Sequence, residues 1–201
     1  MKLLAVSDLE SAYIWEHFDP EVFRGVDLIA SCGDLKASYL SFLVTMIPAP
    51  LFYIHGNHDA RYRIKPPEGC VCVEDRIVEY RGLRIGGLGG CKGQSPNGLQ
   101  FTEEKMSKRI RKLESAIKRS NGIDVFITHA PPYGYGSEAA GDCDDFHKGF
   151  ECFASFDVTH MPKYHLFGHR HLSGSPVNRE ACELFGATTY INSTGYRIVN
   201  L

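Results

Sequence analysis

Short apolar runs recur along the chain, and each ends in side chains that bind metals or move protons. "KLLAVSD" ends at Asp8, "VDLIASCGD" at Asp34, and "PLFYIHGNHD" at Asn57 to Asp59. "IDVFITHAPP" turns polar at His129, and "YHLFGHRH" at His169 and His171. Their hydrophobicity is continuous rather than alternating, which predicts strands covered on both faces. Polar residues at the carboxyl ends of such strands lie where open α/β sheets place their ligands. Between the runs, Met106, Ile110, Leu113 and Ile117 recur at helical spacing and make one stripe. Thr102 is its candidate N-cap, Glu103 and Glu104 suit the positive end, and Asn121-Gly122 is the stop. Ser11 to Phe18 and Lys36 to Ile47 read as shorter helices. The segment 71–90 alternates strand-like runs with glycines, "ELFGATTYINSTGYRIVNL" closes the chain as further strands, and 134–148 reads as a loop. No repeat or linker divides the chain, so the expectation is one α/β (α+β) domain over residues 1–201.

Composition narrows the function classes. A chain of 201 residues buries roughly 70 % of its unfolded surface and needs no staples. Its formal charge of −2 is spread along the sequence, without the basic footprint of a nucleic-acid binder. No segment approaches the ~20 apolar residues of a membrane span, and "MKLLAVSD" is too short in its apolar part for a signal peptide. The seven cysteines, Cys32, Cys70, Cys72, Cys91, Cys143, Cys152 and Cys182, are odd in number and form no CxxC pair. They read as reduced thiols of a cytoplasmic protein and as small core residues. Cys70 and Cys72 would share a face of a strand at 71–73, which keeps redox chemistry as a minor alternative.

Polar strand ends are costly to bury unless each group has a partner. Asp8, Asp34, Asn57, His129, His169 and His171, with Glu10 and His58 beside them, offer carboxylate, amide oxygen and imidazole together. That mixture suits divalent transition metals, manganese first and iron, zinc or nickel as alternatives, rather than magnesium or calcium. There are more donors than one ion needs. Two ions about 3.5–4 Å apart would polarise a phosphoryl oxygen and hold a bridging hydroxide as nucleophile.

The ordered pieces "SDLE", "CGD", "GNHD", "THAPP" and "GHRH" resemble the signature of calcineurin-like metallophosphoesterases from Asp8 to His171. The resemblance implies a four-layer αββα sandwich, two central mixed β-sheets flanked by helices. By the family pattern Asp34 bridges both ions, Asp8 and His171 hold the first, and Asn57, His129 and His169 hold the second. Gly33, Gly56 and Gly168 would leave room for the ions. His58 would assist the leaving oxygen, and Asp59 would either orient its ring or cap a helix. Arg61, Arg63 and Arg170 are candidate phosphate contacts or ordinary surface charges. His55, His147, His160, His165 and Trp15 take structural readings.

One position departs from the pattern. The family has Asp-x-His at the first strand end, and this chain has Asp8-Leu9-Glu10. The expectation is that Glu10 ligates the first ion, making the site harder and less positive. The function expected is hydrolysis of phosphomonoesters or phosphodiesters by a bridging hydroxide, on a small phosphoester substrate. The alternatives are a non-catalytic interaction scaffold, as in the retromer subunit that resembles these enzymes, and a nucleotide phosphodiesterase or nuclease. Specificity would lie in the loops 60–70, 91–101 and 133–149.

Overall fold

The computed structural model describes residues 1–95, 98–135, 148–170 and 182–201. The chain opens with β1 (Lys2–Ser7), α1 (Ala12–Glu16), β2 (Val26–Ser31), α2 (Ala37–Met46), β3 (Leu51–Tyr53) and a 3-10 helix (Asp59–Arg63). It continues through β4 (Val71–Cys72), β5 (Ile77–Tyr80), β6 (Leu83–Leu88), β7 (Cys91–Lys92), β8 (Gln100–Phe101), α3 (Glu103–Arg119) and β9 (Val125–Thr128). α4 (Glu151–His160), β10 (Tyr164–Phe167), β11 (Cys182–Phe185), β12 (Thr188–Asn192) and β13 (Gly195–Asn200) complete it.

Two mixed sheets carry the fold. The first runs β13-β1-β2-β3-β4 and the second β11-β12-β10-β9-β6-β5, while β7 and β8 pair separately. A hydrophobic layer between the sheets joins Leu3, Ala5, Leu28 and Phe52 of the first to Ile85, Val125 and Leu166 of the second. On the outer face of the first sheet, Leu4, Val6 and Ile29 pack with Ile14 of α1 and Leu40 and Leu43 of α2. On the outer face of the second, Leu88 and Phe126 pack with Leu113 of α3 and Phe153 of α4. These are the four layers expected from the resemblance. They also explain the unbroken apolar runs, since Leu3 and Ala5 face one layer, Leu4 and Val6 the other, and all four are fully buried.

α3 is built as its stripe predicts, with Met106, Ile110, Leu113 and Ile117 buried and the Thr102 side chain accepting from the Lys105 amide. α1 and α2 are each shorter than the segments expected for them. α4 was not expected at all, because its buried residues Phe153, Phe156 and Asp157 include a charged one and form no clean stripe. Trp15 packs edge-on against Tyr39 and Phe42, a structural role as read. Cys70 and Cys72 lie against the first-sheet core, where burial pushes the Cys70 thiol up to about 11, so neither is primed for redox chemistry. Cys32, Cys70, Cys72, Cys91 and Cys152 are free thiols, and no described helix is long and apolar enough to cross a membrane.

Parallel pairing aligns the strand ends. β1, β2 and β3 run parallel in the first sheet, as do β6, β9, β10 and β12 in the second. Ser7, Ser31, Tyr53, Thr128 and Phe167, the last residues of their strands, therefore open toward one edge of the sandwich.

The exit of β3 is clamped by Glu74. Its carboxylate accepts from the His55 amide at 3.0 Å, the His55 ring Nδ1 at 3.1 Å and the Gly89 amide at 2.8 Å, and it pairs with Arg109 of α3. Arg109 also bonds the Gly89 carbonyl at 2.8 Å and Asp75 at 3.0 Å. One partly buried acid thus ties the loop after β3 to the end of β6 and to α3. Burial opposes its charge, but the bonds from His55 and the Arg109 guanidinium outweigh it and hold the carboxyl at about 2.

Because the folded value lies below the unfolded one near 4.3, the stabilisation from Glu74 is complete above that pH and is lost as pH falls toward 2. Glu74→Gln is therefore expected to lower the unfolding free energy by about 3 kcal/mol at neutral pH, since it leaves Arg109 without its buried partner. In urea titrations the gap between variant and wild type should narrow as the buffer is taken from pH 5 toward pH 3. A pH-independent gap would mean that the carboxylate charge is not what holds the clamp.

Candidate metal centre

The loops that follow these strands bend in an unusual way. Asp8, Asp34 and His169 have φ of 62°, 57° and 63°, the left-handed region that non-glycine residues rarely occupy. Such conformations cost about 1–3 kcal/mol each and persist where surrounding contacts over-determine them. At Asp8 the amide donates to the Gly33 carbonyl at 3.1 Å, and the side chain accepts from the His169 amide at 2.9 Å. At Asp34 the Oδ1 accepts from the His58 amide at 2.8 Å. Close packing leaves no room for extra atoms there. A Cβ on Gly56 would overlap the Asp34 carboxylate, and one on Gly168 would overlap Ser7 and Asp8.

Four of the expected ligands meet at one place. Ligand atoms of Asp34, His129 and His169 all lie within 4.8 Å of one another. His129 Nε2 is 3.3 Å from Asp34 Oδ2 and 2.9 Å from Asn57 Oδ1, and the His129 and His169 rings are 4.9 Å apart. Asp34 comes from the first sheet and His129 and His169 from the second, so the cluster sits where the two meet. Asn57, His129 and His169 are buried, with His129 fully so.

The protonation pattern fits a cation site. His129 Nδ1 lies 2.7 Å from the Cys32 carbonyl, which can only accept, so this nitrogen carries a proton in either charge state and Nε2 is the atom that faces the cluster. Burial opposes charge on His129, yet Asp34 and Asp8 outweigh it and raise the ring to about 9. Asp34 is correspondingly lowered, with burial opposed by the His129 bond. The field that draws a proton onto a fully buried ring is one that favours a divalent cation. The donor set, one carboxylate, one amide oxygen and two imidazoles, matches the chemistry of manganese, iron or zinc.

Asp8 lies beside His169 and is 3.5 Å from Thr194 Oγ1. His58 is largely exposed, with Nε2 3.9 Å from Asp34 Oδ2. Asp59 Oδ2 accepts from the Gly56 and Asp34 amides, each at 2.8 Å, so it joins two ligand loops instead of orienting the His58 ring or capping the short helix, which has His58 as its N-cap. Burial raises its carboxyl to about 6 against those two amide bonds. Glu10 is engaged elsewhere, its Oε1 with the Lys36 amide and Oε2 with the Lys36 ammonium, each at 3.2 Å. Arg63 bonds the Gly98 carbonyl, whereas Arg61 lines a cavity beside Asp34. His171 and His147 lie outside the described residues, as does 136–147 of the loop.

Some contributors carried no obvious signal. Thr194 bonds the Arg170 carbonyl at 2.9 Å, and Asn192 bonds it at 3.1 Å, so the end of β12 and the turn after it hold the backbone at Arg170. A polar run ending an apolar strand was visible there too, but it lies outside the motif order. His165 joins Asp157 Oδ2 at 2.7 Å to Thr128 Oγ1 at 2.8 Å, and that hydroxyl donates to the Ala130 carbonyl at 2.7 Å. This buried relay from α4 fixes the backbone on both sides of His129.

Known proteins resemble this chain in sequence and in fold. A family model described as calcineurin-like phosphoesterase matches residues 1–173. UPF0046 protein C25E10.12 of Caenorhabditis elegans is 30% identical over 129 residues, 62% of this chain and 41% of that protein, so the match spans less than half of the relative. The crystal structure of TT1561 of Thermus thermophilus aligns with 96% of this chain and 89% of its own at 17% identity and a TM-score of 0.63. That of the phosphopantetheinyl hydrolase from Mycobacterium tuberculosis covers 96% and 88% at 12% identity and a TM-score of 0.58. At such identities the two structures establish the shared fold. With the family match spanning most of its length, the chain belongs to the calcineurin-like phosphoesterases, whose chemistry at family level is the hydrolysis of phosphoesters.

Proposed function

We propose that this chain hydrolyses small phosphomonoesters or phosphodiesters at a dinuclear divalent-metal centre, with manganese as the preferred ion. The observation that carries the reading is the convergence of Asp34, His129 and His169 within 4.8 Å. Asp34 has two oxygens to share between ions, Asn57, His129 and His169 would complete one site, and Asp8 with His171 would serve the other. Bound ions would supply Lewis acidity at the phosphoryl group and lower the pKa of water. The chain's own groups do the rest. The Cys32 carbonyl holds the Nδ1 proton of His129 and so leaves Nε2 as its ligating atom, the Thr128–His165 relay fixes the backbone on either side, and the Asp59 carboxylate fixes the spacing between the loops of Asp34 and Asn57. His58, anchored by its amide on Asp34 but with an open ring, is positioned to give a proton to the departing oxygen. The free thiols support a reducing, cytoplasmic setting.

One observation favours a second reading. Both Glu10 oxygens are taken by Lys36, which removes a donor from the Asp8 side and favours a centre holding a single tight ion. Elemental analysis of purified protein separates the two, with about two ions per chain expected for the first and about one for the second. In either case a chelator should abolish turnover and manganese restore it. Chelator-resistant hydrolysis would contradict both.

Asn57→Ala is expected to lower kcat on a chromogenic phosphoester by at least about 100-fold. Activity equal to wild type would remove Asn57 from the centre. His58→Ala should cost about 100-fold on an alkyl phosphate, whose leaving oxygen needs a proton, and less than about tenfold on p-nitrophenyl phosphate, whose leaving group does not. Equal losses on both would mean that His58 acts by some means other than proton donation.

A further inference from the structure

A cavity of about 770 Å³ opens beside Asp34 and His58, between the start of α2 and the 3-10 helix. That is the volume of a small-molecule site. A phosphate group at the metal cluster would leave most of it empty. Leu35, Ala37, Tyr62 and Pro66 give it apolar wall, and Ser38 and Ser41 add hydroxyl-bearing residues.

Its charges are arranged unevenly. Lys36 lines the cavity but is held by Glu10. Arg61 and Lys65 also line it, and among the described residues neither side chain has a hydrogen-bond or ion-pair partner. The Lys65 amide bonds the Arg61 carbonyl at 2.9 Å, which sets the two cations one turn apart on the same side. Asp34 and Asp59 belong to the metal cluster and its loops, and Glu68 offsets one of the two cations, so a cationic surplus remains away from the cluster. An apolar pocket with a cationic end next to the reacting position describes a leaving-group site for an amphiphilic anion.

Resting on the phosphoesterase reading above, we infer that this cavity takes the leaving group, and that the preferred substrates carry an additional anionic group there, gripped by Arg61 and Lys65. The test compares two substrates of nearly equal size, the phosphate monoester of para-hydroxybenzoate and that of its methyl ester, with manganese-loaded protein. The methyl ester gives the better leaving phenolate, so intrinsic reactivity favours the neutral compound. Wild type should instead prefer the carboxylate by about tenfold in kcat/KM, mostly through KM. In the double variant Arg61→Gln, Lys65→Gln that ratio should fall to about one or below, and Arg61→Lys should retain most of it. Thermal melting of the variants checks that these exposed positions leave the fold intact.

Hydrolysis of both compounds with a wild-type ratio of one or less would overturn the anionic subsite while leaving the phosphoesterase reading standing. A ratio that survives the double substitution would overturn the roles of Arg61 and Lys65. Hydrolysis of neither compound, nor of any phosphoester with any ion, would overturn the subsite and the underlying reading together.

Discussion

Asp34 keeps a negative charge at the seam between two sheets, with its side chain only 10% exposed, and much of the local architecture is compensation for that charge. An unpaired carboxylate so placed would take up a proton instead of staying ionised. The His58 amide and the His129 ring prevent this. Around it the chain accepts three left-handed residues, glycines where any side chain would collide, and a buried Asp59 that accepts amide bonds from both neighbouring loops. Such strain is stable because the sandwich behind it is closely packed on every layer. The rigid part of the protein fixes where the costly part sits.

The same logic explains how much the sequence reveals. Strands covered on both faces write themselves as unbroken apolar runs, and a polar residue ending such a run marks a sheet edge. Asp8, Asp34, His129 and His169 were legible for that reason. The α3 stripe was legible because one of its faces meets water. α4 was not, because it packs over the second sheet with Asp157 facing inward to His165, and no period-based reading expects a buried acid on the apolar side. Glu74 was equally silent, since its three partner residues come from three distant segments. Asp59 shows the limit of motif reasoning, because its place in the sequence was right and its hydrogen bonds run to backbone amides, not to the neighbouring ring.

Glu10 links the metal cluster to the cavity beside it. Where the family pattern has a histidine, the Glu10 carboxylate reaches across to the residue before α2 and neutralises Lys36. That pairing leaves Arg61 and Lys65 as the cavity's available cations. On the proposed reading, metal preference and substrate preference are linked through one residue. On the same reading, specificity lies in the segment between β3 and β4, which the sequence marked as a loop without revealing its shape.

The most direct test of the cation centre is anomalous diffraction from crystals grown with manganese. A strong anomalous peak is expected within coordination distance of Asp34, Asn57, His129 and His169 together. A map with no peak at the junction of the two sheets, in crystals whose protein is shown to be folded and active, would contradict a metal centre at this site.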